Sequence, residues 1–220
     1  MKKILAAFLV SISLNVYGQK HYLGIEGGVN LTNATPDYSY VLNAKRVGFT
    51  GGFTYDYLLL PWLSLGTGII YQTRGHSEQD YSYDMNGHWQ GYAGETQIKY
   101  NYLNAPVKVG FNVGKKFYIF GDIGVVPALL LNAKALHYDF DSLEGPVLTD
   151  TWNDKPYIKM FDLAPMFDFG FGYKFKTKYW IFAKYAYQKS ITDYIKEDDA
   201  FDENMKHHGR AVTIGIKYGL

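Results

Sequence analysis

The stretch FDLAPMFDFGFGYKF, residues 161–175, decides the fold. Its odd positions are Phe161, Leu163, Pro165, Phe167, Phe169, Phe171, Tyr173 and Phe175, and its even positions are Asp162, Ala164, Met166, Asp168, Gly170, Gly172 and Lys174. A period of two belongs to a β-strand, whose side chains point alternately to opposite faces. One face is continuously apolar and the other is small or charged. The last residues repeat the pattern, with Val212, Ile214, Ile216, Tyr218 and Leu220 alternating with Ala211, Thr213, Gly215, Lys217 and Gly219. Six more segments follow it less strictly: His21 to Leu31, Val47 to Leu59, Trp62 to Thr73, Ile98 to Val113, Phe117 to Ala133 and Tyr179 to Gln188.

The connections fall into two classes. Leu60-Pro61, Gly114-Lys115-Lys116 and Lys176-Thr177-Lys178 read as tight turns, whereas 32–46, 74–97, 134–157 and 189–210 are long and rich in Asp, Asn, Tyr and Gly. Long and short alternate strictly along the chain. That alternation predicts an all-β fold, an eight-stranded antiparallel up-and-down transmembrane β-barrel with short periplasmic turns and long extracellular loops.

Composition narrows the chemistry. The 220 residues contain no cysteine, which excludes disulfide scaffolds, thiolate zinc sites and thiol nucleophiles. Lys+Arg 22 against Asp+Glu 21 gives no general attraction to nucleic acid. Met1-Lys2-Lys3, the apolar run Ile4 to Leu14 and a small residue at Gly18 read as a secretory signal peptide over 1–18, leaving 19–220 as the barrel domain. No later apolar run is long enough for a membrane helix, so a membrane location requires closed β-structure.

The faces distinguish a membrane barrel from a soluble one. A soluble, lipocalin-like barrel would put its bulky apolar face inside. Here the opposite face carries the glycines, small residues and charges that a narrow eight-stranded interior can hold, so the bulky face is expected to meet lipid. Tyr55, Tyr57, Phe117, Tyr173, Phe175, Tyr179, Tyr185, Tyr187 and Tyr218, near strand ends, suit interfacial aromatic girdles.

The segment Tyr100-Asn101-Tyr102-Leu103-Asn104-Ala105-Pro106-Val107 and the closing Ile214-Gly215-Ile216-Lys217-Tyr218-Gly219-Leu220, together with the leader and the eight strands, resemble the PorT-like outer-membrane β-barrel family. The resemblance covers the whole mature chain, and Tyr-Leu-x-x-Pro is its most specific element. It implies an integral protein of a Gram-negative outer membrane. Some family members assist protein export and most have no assigned activity. The chain departs from the usual barrel-assembly signal by ending in Gly219-Leu220 without a terminal aromatic, which leaves Tyr218 to serve that role.

Strand parity assigns the lumen. The inward acids are Glu26, Asp56, Asp122, Asp162 and Asp168; the inward bases are Lys108, Lys174, Lys184 and Lys217, with Arg74 a candidate fifth. Such a balance suits a packed ionic core, because charges in a narrow barrel must be paired and hydrogen-bonded. A proton or ion path is the alternative. Trp62, Tyr118, Phe120, Trp180 and Phe182 share the inward parity beside the short turns, near Gly24, Gly110, Gly170 and Gly172, and predict an aromatic plug at the periplasmic mouth. Pro106, Pro127 and Pro165 fall at similar heights on three consecutive strands, either as bulges at the outer rim or as a weakened seam. A bulge at Pro106 would turn Lys108 outward.

The 74–97 connection holds His76, Tyr81, Tyr83, His88, Trp89 and Tyr92, which read either as a binding surface or as the packing of a hairpin above the membrane. The last loop is acidic, with Asp193, Glu197, Asp198, Asp199, Asp202 and Glu203 before His207-His208, but lacks calcium-loop spacing. No nucleophile elbow, metalloprotease motif or phosphate loop is present. The expectation is a non-catalytic outer-membrane protein without cofactor or metal. It would act through its loops or by docking to other envelope or secretion proteins, with outer-membrane lipid as its surroundings. The rivals are a lipid-active barrel enzyme and a narrow conduit for hydrophobic solutes.

Overall fold

The computed structural model describes residues 20–35, 44–141, 145–176, 178–196 and 205–220. The leader at 1–18 and the acids at 197–203 lie outside these residues. The strands are β1 (His21–Thr35), β2 (Ala44–Leu60), β3 (Leu63–Tyr83), β4 (Trp89–Asn104), β5 (Val107–Gly114), β6 (Phe117–Asp141), β7 (Gly145–Asn153), β8 (Phe161–Phe175), β9 (Tyr179–Lys189) and β10 (Lys206–Gly219). All pairings are antiparallel. The ladder runs β1–β2–β3, then through β4 and β5 to β6, and on through β8, β9 and β10. It closes where β10 pairs with β1, from Tyr22↔Gly219 to Thr35↔Lys206. Closure leaves no strand edge to lipid, the condition for sheet structure in a bilayer.

β4 and β5 are one wall strand interrupted at Ala105-Pro106, so the ring has eight walls. The interruption inserts no residue. Asn104 pairs Ile70 and Ala128, and Val107 pairs Thr67 and Val125, so both neighbours advance three residues with it. Parity is therefore kept through Pro106, and Lys108 stays in the lumen at 6% exposure. Of the other two prolines, Pro165 stands opposite Val125, and the carbonyl of Pro127 accepts the amide of Ala105 at 2.9 Å.

Two of the long connections are largely strand. β3 has 21 residues, and at ~3.3 Å per residue and ~45° tilt such a strand rises roughly 50 Å, about twice the ~25 Å apolar band. The β3–β4 hairpin thus projects beyond the band with its turn at 84–88, and β7 pairs with the equally projecting end of β6. Outward positions carry the exposed apolar side chains, among them Ile25, Val29, Phe53, Ile69, Phe169, Phe171, Ile181 and Ile214. Among the described residues no helix is long and apolar enough to cross a membrane.

Candidate functional site: a filled lumen beneath projecting hairpins

Three tiers of side chains occupy the lumen. The lowest is aromatic: Tyr22, Tyr118, Phe120, Trp180 and Phe182 are buried together, with ring centroids 4.5 Å apart for Tyr22–Trp180 and 5.1 Å for Tyr118–Trp180. These rings rest on glycine. A Cβ on Gly172 would stand 2.5 Å from Tyr118 Cζ, one on Gly170 2.6 Å from Phe120 Cζ, and one on Gly215 2.4 Å from Phe182 Cζ. Gly24 and Gly110 instead make room for the ionic tier above, against Thr54 and Asp122.

Trp62 does not join this tier. It lies in the β2–β3 turn, before the strand begins, so the period of two does not govern it; its ring is 49% exposed and stacks on outward Phe111 at 5.9 Å. Tyr22 takes its place. Lys174 is likewise not part of the charge network. It caps the aromatic tier, with Nζ 4.0 Å from the Trp180 ring centroid, and makes no ion pair with a carboxylate among the described residues. Cation–π attraction suits a half-buried ammonium lying over a ring.

The middle tier is ionic. Lys184 Nζ lies 2.9 Å from Glu26 Oε1 and 3.2 Å from Asp168 Oδ2; Lys108 pairs with Asp122 and stands 3.6 Å from Asp168; Lys217 Nζ is 2.7 Å from Asp56. Above it is a cavity of about 60 Å³ lined from all eight walls, with Gln72, Asn104 and Gln188 on its outer side. That is room for one or two waters.

The upper tier centres on Arg74, which is 1% exposed and pairs with Asp162. Asp162 also accepts Ser190 Oγ at 2.8 Å and Thr192 Oγ1 at 2.6 Å, while Arg74 donates to Gln72 at 2.9 Å and Asn104 at 3.2 Å and lies over the Tyr102 ring. Tyr100, Tyr194 and His207 close the top, with His207 stacked on Tyr194 at 4.0 Å. The alternation in Tyr100-Asn101-Tyr102-Leu103-Asn104 was a legible signal for three of these residues. Tyr194 and His207 sit beside an aperiodic connection and gave none.

The residues grouped as a loop surface separate. His76 is 1% exposed inside the barrel, because β3 continues the inward series Gln72, Arg74, His76 past the level at which a loop was expected. Tyr81 bonds Gln79 at 3.3 Å, and His88 is exposed at the hairpin tip with Nδ1 3.1 Å from Asp84 Oδ2. Tyr83 faces Trp89, and Tyr81 faces Tyr92, in the hairpin register. Asp84 Oδ1 accepts the amides of Asn86 and His88 at 2.8 and 2.9 Å, and the His88 amide above all holds this carboxyl below its ordinary pKa.

One hydrogen-bonded series has an alcohol, an imidazole and an acid. Thr96 Oγ1 lies 3.0 Å from His137 Nδ1, and His137 Nε2 lies 3.2 Å from Asp139 Oδ1. Thr96 and His137 are cross-strand neighbours on β4 and β6, and the β6–β7 register is irregular between His137 and Tyr138.

The family described as outer membrane protein beta-barrel domain matches residues 17–196. The chain belongs to that family. Its membership and its outward apolar face support the outer membrane as its location. No curated protein matches the chain. Among solved structures it is similar to Neisserial surface protein A, at 13% identity over 91% of this chain and 97% of that one, with a TM-score of 0.44. It is also similar to OprG from Pseudomonas aeruginosa, at 13% identity over 91% and 96% with a TM-score of 0.47. The outer membrane protease OmpT from Escherichia coli gives 10% identity over 94% and 99%, with a TM-score of 0.46.

Proposed function

We propose that this chain is a non-catalytic, PorT-like outer-membrane barrel that works at its outer end, through the projecting hairpins, by docking to another envelope protein such as a component of protein export. The filled lumen carries this reading. Aromatic, ionic and Arg74-centred tiers occupy the barrel in series among the described residues, and the cavity between the ionic and Arg74-centred tiers measures about 60 Å³, which counts against a solute conduit.

Two hairpins, β3–β4 and β6–β7, are then the structured parts left free to meet a partner. Mild-detergent purification of the tagged protein from its native envelope tests this, beside a variant whose 81–92 tip is replaced by a short Gly-Ser turn. The expected result is a stoichiometric envelope protein that accompanies the wild type and is lost from the variant. A solitary barrel, or a partner retained equally by both, contradicts the reading. Acyl release from outer-membrane lipids by the purified protein would restore the enzyme.

A further inference from the structure

On the outward face of β2, β4 and β6, the apolar band ends at Val47, Leu103 and Leu131, all exposed. The opposed Asn101 and Asn132 stand next beyond it, and cations follow. Lys99 and Lys134 are directly opposed in register, and the burial of Tyr100, Ala133 and Ala135 turns both lysines outward. On the other side of Lys99 the register partner is Gly75, at φ +147, and a Cβ there would lie 3.5 Å from Arg46 Nη1. The Arg46 guanidinium therefore lies over a residue without a side chain, close enough for its charge to act on Lys99.

This row is uncompensated. Like charges directly opposed across a ladder destabilise it. Among the described residues none of the three cations is ion-paired, and Arg46 Nη1 is shielded from water without a hydrogen-bond partner. Glu95, on the same parity of β4, stands four residues farther out and accepts Gln97 Nε2 at 3.3 Å. Lys155, donating to the Leu131 carbonyl at 2.7 Å, adds a further positive charge nearby. An anion with several oxygens at headgroup height would compensate the three charges together. A phosphate has that form, and arginine and lysine are its usual partners.

We infer that Arg46, Lys99 and Lys134 form a site for the phosphate of an outer-leaflet lipid headgroup. The site is independent of the hairpin docking above, since it faces the bilayer and not a protein partner. Full-length protein is reconstituted in nanodiscs of phosphatidylcholine containing a minor share of phosphatidic acid, a lipid phosphomonoester. It is then released into detergent, and the retained lipid is counted by native mass spectrometry.

The wild type is expected to retain phosphatidic acid over phosphatidylcholine by roughly a hundredfold, since each of the three surface cations contributes about fivefold. The R46Q/K99Q/K134Q variant loses that preference. A K115Q/K116Q/K178Q control, which removes as many charges at the short-turn rim, keeps it. Excess inorganic phosphate displaces the lipid if phosphate is the group recognised. Should the triple variant not give a folded barrel, K99Q and K134Q singly are each expected to lower the preference a few-fold. No preference in the wild type, a preference surviving in the site variants, or equal loss in the control overturns the assignment. Binding of free phosphate without retained lipid makes it a soluble-anion site and overturns the lipid source.

Discussion

At Asp168 two ammonium groups converge on one carboxylate, Lys184 at 3.2 Å and Lys108 at 3.6 Å, in a side chain with no exposed surface. Neither lysine can turn to water, because the walls and the aromatic tier enclose them. Removing one member of a buried ionic cluster leaves its partners uncompensated, at a cost of about 3–5 kcal/mol. Asp168→Ala is therefore expected to lower the unfolding free energy of the vesicle-embedded barrel by that amount, read as a fall in its urea midpoint. Asp139, 56% exposed and 3.2 Å from His137, gives the contrast. Exposed pairs contribute below about 1 kcal/mol, so Asp139→Asn should leave the midpoint nearly unchanged. Equal effects from the two substitutions would mean that the ionic tier is solvated and not packed.

The hairpins are the elements on which the proposed docking surface depends, and the β3–β4 tip is expected to carry its own pH dependence. The Asp84 carboxylate, held low by the His88 and Asn86 amides, accepts those bonds most strongly when ionised. A depressed carboxyl pKa supplies order that is complete above the ordinary carboxylate value of about 3.9 and is lost as pH falls through the lowered one. Amide-exchange protection at His88 should accordingly persist at neutral pH and collapse only in acid below that range. Asp84→Asn should flatten the dependence; an unchanged acid collapse in that variant would assign it to another group. The membrane-embedded parts of these elements were legible in sequence, because lipid outside and a narrow lumen inside enforce a strict period of two, as in Phe161 to Phe175. Legibility failed where that constraint ends. Trp62 sits in a turn, where parity has no meaning. His76 lies where β3 outlasts the bilayer, and β7 forms where neither lipid nor lumen imposes a pattern. Tyr194 and His207 meet across the outer mouth through tertiary contacts that no local spacing encodes.

For the whole molecule, the eight-walled ring is closed in two senses. Its ladder is continuous through β10 and β1, which removes every sheet edge from lipid. Its lumen is occupied from the Tyr22–Trp180 layer, through the Lys–Asp tier, to the Tyr194–His207 stack. A barrel of this size has little interior volume, and bulky rings seated on glycine with paired charges above them use it fully. On the function proposed above, the working parts are then the outer surface and the lipid-facing rim. The most direct measurement is single-channel recording of the purified full-length protein in a planar bilayer. A filled lumen predicts no steady conductance across the range of applied voltage, whereas a reproducible open level would contradict it and return a conduit to first place.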